Sequence, residues 1–219
     1  MTSRLFRVKM NMFRYVCRQG KTPLSPLPPR ADGEAGPGGH TARGVSRVPK
    51  QIENLRLQLL EEARRQTAEQ GYGKTTVRSV AAACGIAVGT VYNYFPSKEV
   101  LIASFVAEDW AQSLAQMRAI SSKDPETCLR GIYEALRSFM GKHRVLFSDP
   151  EAARAASAGY LPRHLQLREQ LAELTESLVP SEDGFDAQFL AEALLTWTVA
   201  GKPFDRIYDI LKKLIIKYQ

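Results

Sequence analysis

An all-α fold is predicted for this chain of 219 residues, on three observations. From Gln51 onward apolar residues recur at spacings of three and four. No segment alternates as a strand would. Asp-Pro pairs and isolated glycines punctuate the pattern as helix starts and stops. The expected organisation is a disordered extension over residues 1–49, a three-helix domain over 50–98 and a second helical domain over 99–219.

The elements follow in chain order. Residues 20–49 hold six prolines and six glycines among polar residues, too little apolar surface to offset the entropy of ordering. Residues 1–18 mix Arg and Lys with apolar side chains and contain no acid. This pattern is compatible with a transit peptide or a membrane-surface helix, but a dispensable upstream extension is the preferred reading. Ile52, Leu55, Leu59, Ala63 and Thr67 then mark a helix that Gly71 closes. Thr75 or Thr76 caps a short helix with Val77, Val80 and Ala81 inward. Gly85 can take the left-handed conformation that stops it, and Ile86 turns into the core. A second short helix runs from about Val88 to Tyr94 with Val91 and Phe95 as its buried side. Ala81, Ala82 and Ala83 are small enough to let the two helices approach. Ala87 leaves the second helix uncapped, a loss of about 1 kcal/mol that packing by Val91 and Phe95 can offset.

A long helix is expected from Ser97 to about Ile120. Asp124-Pro125 reads as N-cap and first-turn proline, with Cys128, Ile132, Leu136, Phe139 and Met140 on one face. Asp149-Pro150 repeats that signal, and Gly159 ends the segment. Leu165, Leu171, Leu174 and Leu178 mark a helix stopping before Pro180. Asp186 is expected to cap the next, with Phe185 and Leu190 as a hydrophobic staple. Gly201 ends it. Pro203 opens the last, striped by Phe204, Ile207, Leu211, Leu214 and Tyr218.

Composition is that of a globular protein, 44% hydrophobic and 24% charged. No apolar run approaches the ~20 residues that cross a bilayer, so no membrane association is expected. Cys17, Cys84 and Cys128 are far apart and in no metal spacing, which points to a reducing, cytoplasmic setting. The net charge of +7 is uneven: +8 over residues 1–50, +2 over 51–98 and −3 over 99–219. Attraction to a polyanion is therefore a property of the first half.

Residues 68–77, "AEQGYGKTTV", admit two readings. Alone they fit a relaxed phosphate loop, with Gly73-Lys74-Thr75 closing it. Such a loop needs a buried strand before it, so that backbone amides converge on phosphate. The preceding "LRLQLLEEARRQTAEQ" is instead an amphipathic helix, and no later strand ends in a magnesium-binding Asp. The second reading, one helix ending and another beginning, is supported by "TTVRSVAAACGIAVGTVYNYFPSKEVL", two short helices about a glycine turn, the helix-turn-helix.

The second of those helices presents Gly89, Thr90, Tyr92, Asn93 and Tyr94 outward, where a solvated face would normally carry Glu and Lys. No carboxylate occurs from Thr75 through Lys98, a stretch where acids would repel phosphates. Lys98 opens the next helix, the end where the macrodipole disfavours a cation but where a DNA phosphate would welcome one. "TTVRSVAAACGIAVGTVYNYFPSKEVLIASF" resembles the DNA-binding segment of the TetR family of bacterial repressors, over about residues 51–105. The resemblance implies that residues 88–94 are the recognition helix. It also implies DNA contacts from Thr76, Arg78, Val88, Gly89, Thr90, Tyr92, Asn93, Tyr94 and Lys98. It further implies a homodimer built by the C-terminal helices, a palindromic operator in double-stranded DNA, and a C-terminal pocket for a small effector. The long extension departs from the family's usual short arm.

An enzyme is the first rival. His40, His143 and His164 stand apart, and there is no nucleophile elbow, Cys-x-x-Cys or His-Glu-x-x-His. No catalysis, cofactor or metal is expected. A purely structural helical module is the second rival, and it leaves the acid-free face unexplained. Within the regulatory reading, an activator or a partner-controlled regulator is the alternative to a ligand-released repressor. Phe105, Trp110, Met117, Phe139, Met140, Phe147 and Tyr160 are rich in adaptable aromatic and thioether groups, and His143 and Tyr160 can orient a ligand. The expected effector is a largely apolar or aromatic small molecule rather than a sugar phosphate or metal ion.

Overall fold

A computed structural model describes residues 49–122, 124–157 and 161–218, without the side chains of 49–53 and 156–166. Of the expected disorder over 1–49, residues 1–48 lie outside the described residues, while Pro49 opens a helix instead; the stop at Gly159 and the ligand role of Tyr160 also lie outside them. Ten α-helices are described: α1 (Pro49–Lys74), α2 (Val77–Ala83), α3 (Val88–Tyr94), α4 (Lys98–Arg118), α5 (Pro125–Lys142), α6 (Arg144–Ser148), α7 (Pro150–Ser157), α8 (Leu161–Thr175), α9 (Phe185–Val199) and α10 (Phe204–Ile215). No strand occurs among the described residues, so the all-α expectation holds.

Local chemistry explains the boundaries. Gly71 stands at φ 85°, outside helical geometry, and breaks α1 with a kink before a last turn that ends at Lys74. A side chain there would be strained, which is why glycine ends the regular run. Thr76, not Thr75, caps α2: its Oγ1 accepts from the Ser79 amide at 2.9 Å, and Ser79 Oγ accepts from the Thr76 amide at 3.0 Å. This reciprocal pair satisfies two otherwise orphaned donors. Gly85, at φ 67°, makes the tight turn between α2 and α3. Ser97 Oγ caps α4, accepting from the Val100 amide at 3.2 Å. Asp124 Oδ2 caps α5 through the Thr127 amide at 2.9 Å, with Pro125 in the first turn.

Packing is organised around α4 and α5. Helix α1 packs on α2 and α4, α2 on α3, and α5 on α4, α9 and α10, while α9 lies along α8. One apolar core runs unbroken from Leu59 in α1 to Ile215 in α10. Leu59, Ala63, Val80, Ala81, Val91 and Phe95 are all buried, as the helical period requires.

Several expectations are corrected. Of the three alanines, Ala81 alone is buried; Ala82 and Ala83 are exposed, so close approach of α2 and α3 rests on one residue. Asp186 does not cap α9. That helix begins at Phe185 behind left-handed Gly184, and Asp183 Oδ1 accepts from the Phe185 amide at 3.0 Å. The staple does not form, because Phe185 is exposed while Leu190 is buried. Helix α8 stops at Thr175, and a short 3₁₀ turn, Glu176–Leu178, completes the path toward Pro180.

Candidate nucleic-acid interface

The geometry of α3 follows from its two buried anchors. Val91 and Phe95 are almost fully buried, one turn apart, and fix the roll of the helix about its axis. That roll exposes Gly89, Asn93 and Tyr92, the last 50% exposed. Thr90 is half-buried. Val88 and Tyr94 pack partly against the core, and the Tyr94 ring centroid lies 6.4 Å from that of Phe95. The implied contact residues thus divide: Gly89, Tyr92 and Asn93 present themselves outward, while Val88 and Tyr94 also serve packing. Thr76 and Arg78 are exposed at the start of α2, although the Thr76 hydroxyl is engaged as a cap. A Cβ built on Gly89 meets nothing within 4 Å inside the protein. Glycine inside a helix costs about 1 kcal/mol against alanine, and no internal packing accounts for it here.

The phosphate-loop reading finds no support. Thr75 is buried and its hydroxyl donates to the Gly71 carbonyl at 2.9 Å, while a helix occupies the place of the required strand.

The residue that sequence reasoning missed is Tyr72. It is buried in the last turn of α1 and ties that helix to α4 and to the start of α7. Its hydroxyl donates to Glu99 Oε1 at 3.0 Å. Its ring receives the Lys98 ammonium 3.8 Å from the centroid, which offsets the unfavourable position of a cation at the start of α4. Its backbone amide donates to Asp149 Oδ2 at 3.1 Å. Asp149 meanwhile turns its other oxygen to the first turn of α7, accepting from the Glu151 and Ala152 amides at 2.8 and 3.2 Å. Burial pushes the Glu99 carboxyl up, but hydrogen bonds from Ser97, its own backbone and Tyr72, with the Lys98 charge, hold it below the usual range. A tyrosine between two glycines was the available signal, and it carried no partner information.

A second polar centre joins α1, α4 and α5. Asp109 is only 5% exposed and gathers Lys142 Nζ at 2.8 Å, Arg64 Nε at 3.2 Å and His143 Nε2 at 3.0 Å. Burial pushes its carboxyl up, yet the contacts with His143, Lys142 and Arg64 prevail and hold it at about 2. Five of the expected effector residues, Phe105, Trp110, Phe139, His143 and Phe147, meet at or beside this centre. The His143 ring lies 6.0, 4.9 and 5.6 Å from Phe105, Phe139 and Phe147 respectively, and Trp110 meets Phe139 edge-on at 5.3 Å. Met117 is buried in the same core and Met140 packs partly against it. The structure brings these rings together as closely packed core. Among the described residues, no cluster of three His, Cys, Asp or Glu side chains is arranged to hold a metal. No described helix is long and apolar enough to cross a membrane.

Comparison with known proteins agrees with this geometry. Residues 59–105 match the family described as "Bacterial regulatory proteins, tetR family". The chain is 32% identical over 117 residues to the HTH-type transcriptional repressor KstR2 of Mycobacterium tuberculosis, a match covering 52% of this chain and 58% of that protein. The chain therefore spans little more than half the length of that relative. The Fatty acid metabolism regulator protein of Bacillus subtilis is 28% identical over 181 residues, covering 72% of this chain and 91% of that protein. In fold, a TetR-family transcriptional regulator of Pectobacterium atrosepticum superposes with a TM-score of 0.52 at 21% identity, covering 77% of this chain and 97% of that one.

Proposed function

We propose that this chain, whose residues 59–105 match the tetR family of bacterial regulatory proteins, is a homodimeric transcriptional repressor released from its operator by a small apolar effector. The carrying observation is the outward face of α3, where Gly89, Tyr92 and Asn93 are exposed in a 24-residue stretch, 75–98, without a carboxylate. The open space at Gly89 supports close approach of a DNA backbone. Thr76, Arg78, Val88, Thr90, Tyr94 and Lys98 complete the proposed contact surface, and α3 enters the major groove. The domain division at 50–98 and 99–219 is part of the proposal, as is a cytoplasmic location.

The dimer reading is supported by apolar side chains left on the surface. Phe185, Phe189 and Trp197 are exposed on α9, and Ile210 on α10. Leu190, Leu194, Ile207 and Leu211, other apolar side chains of these two helices, are buried inside the protomer. Two copies joined through the exposed set would form a four-helix interface. Trp197→Glu, at a position 47% exposed, is expected to leave the protomer folded and shift sedimentation from dimer to monomer at micromolar concentration. A dimer of unchanged stability would remove Trp197 from the interface.

The effector reading keeps Phe105, Trp110, Met117, Phe139, Met140, His143, Phe147 and Tyr160 as its apolar surroundings. The resemblance to a regulator named for fatty acid metabolism supports an apolar ligand class. The deciding experiment is selection of genomic fragments bound by the full chain. Palindromic sites with half-sites about 34–36 Å apart, or a multiple of a helical turn, are expected. Recovery of fragments without a shared sequence would overturn the operator reading.

A further inference from the structure

A cleft of about 410 Å³ opens between α1 and the α5–α6 corner, at the edge of the ring cluster assigned to the effector, with which it shares Phe105 and His143. Its α1 wall is Glu61, Arg64, Arg65, Thr67 and Ala68; the opposite wall is Phe105, Lys142, His143, Val145 and Leu146. The two walls belong to the two proposed domains. We propose that this cleft binds an amphipathic monocarboxylate, with its acid against Arg64 and Lys142 and its apolar body against Phe105, Val145 and Leu146.

Charge is the first argument. Arg64 and Lys142 share one carboxylate, the buried Asp109 behind the lining, at 3.2 and 2.8 Å, so these two cations are matched by a single negative charge between them. A second anion meets a surplus there and gains charge-assisted hydrogen bonds. Arg65 adds nothing to that surplus, because Glu62 and Glu69 both pair with it at 2.6 Å. Glu61, the acid on the lining, is exposed and opposes an anion. One favourable head-group position beside one acid favours a single carboxylate over a multiply charged phosphate.

Composition of the walls is the second argument. The Arg64 guanidinium carbon sits 5.5 Å from the Phe105 ring centroid, so the cationic and apolar surfaces are adjacent. Thr67 contributes a buried hydroxyl with no hydrogen-bond partner among the described residues, and a ligand oxygen at the floor would satisfy it. The volume suits a medium-length chain or a small ring system and falls within the range of drug-sized sites.

The regulatory consequence rests on the proposed function; the binding does not. A ligand that holds Arg64 and Lys142 together changes how α1 sits against α4 and α6, on which it packs, and α1 leads into the helix-turn-helix. By linkage, ligand and DNA then alter each other's affinity by the same factor.

The test is calorimetric titration of the full chain, without DNA, with sodium decanoate below its micellar concentration. Decanol and inorganic phosphate serve as head-group and tail controls. One decanoate per chain is expected, at least tenfold tighter than either control. Lys142→Met should weaken it about tenfold and Glu61→Gln should tighten it, opposite signs that a folding defect does not produce. Equal binding of decanol, equal binding of phosphate, or affinities unmoved in both variants would each overturn the proposal. Operator binding is measured in parallel on the unliganded chain. Decanoate binding without any DNA binding would overturn the repressor reading and leave this site standing.

Discussion

Asp109→Ala is expected to lower the unfolding free energy by about 3 kcal/mol, the range for removing one partner of a buried ionic cluster. The size follows from what remains. Arg64, Lys142 and His143 are left facing one another in a site where His143 and the former carboxylate are nearly inaccessible. Lys142 and Arg64 reach solvent, which keeps the loss near the lower end. Urea unfolding at neutral pH measures it, and an unchanged midpoint would show the cluster to be energetically neutral. The same carboxylate makes stability depend on acid. Its folded value, about 2, lies below the ordinary 3.8, so the folded state gives up this proton more readily than the unfolded one. Its contribution is complete above the ordinary value and is lost as pH falls from about 4 toward about 2. Asp109→Ala should flatten that limb of the stability curve.

The second large effect is on DNA. Tyr92→Ala removes a half-exposed ring from the outward face of α3 without touching Val91 or Phe95. Operator affinity is expected to fall at least tenfold, the scale of one good base-edge contact, with non-specific binding and helicity unchanged. Lys98→Ala should behave differently, weakening all sequences alike and reducing the salt slope by about 1 per subunit. Electrophoretic titrations at several salt concentrations separate the two. Unaltered affinity in both variants would sink the recognition-helix assignment. The contact between the Lys98 ammonium and the Tyr72 ring, at 3.8 Å, means that DNA must compete for this cation, which holds its effect to the modest side.

Much of this was legible in the sequence because it is local. A period of 3.6 and an Asp before a Pro reveal helices and caps within a few positions of themselves, whereas the choice of Thr76 over Thr75 as the cap needed the structure. Val91 and Phe95 could be assigned inward because the rest of α3 is polar, small or hydroxylated. Helix α9 could not be oriented the same way. It is apolar nearly all round, so Leu190 and Leu194 were indistinguishable by pattern from Phe189 and Trp197. Its start was misread because Asp183 and Asp186 both precede apolar residues, and the intervening left-handed Gly184 decides between them. The cleft was beyond reach for another reason. Its walls come from residues 61–68 and 142–146, about eighty positions apart, and their meeting is created by how α1 lies on the α5–α6 corner.

The unbroken core from Leu59 to Ile215 has a consequence for how the chain tolerates change. Division of labour between a reading half and a sensing half is usually pictured as two bodies with a seam, each free to vary. Here no apolar gap separates them, so the two halves draw on a common reserve of cooperative free energy. A cavity opened under Ile132 or Leu190 erodes the reserve that keeps α3 presented to DNA, though neither residue comes near it. Adaptation to a new effector is thereby constrained at a distance: each substitution that reshapes the sensing half must leave enough stability for the half that reads.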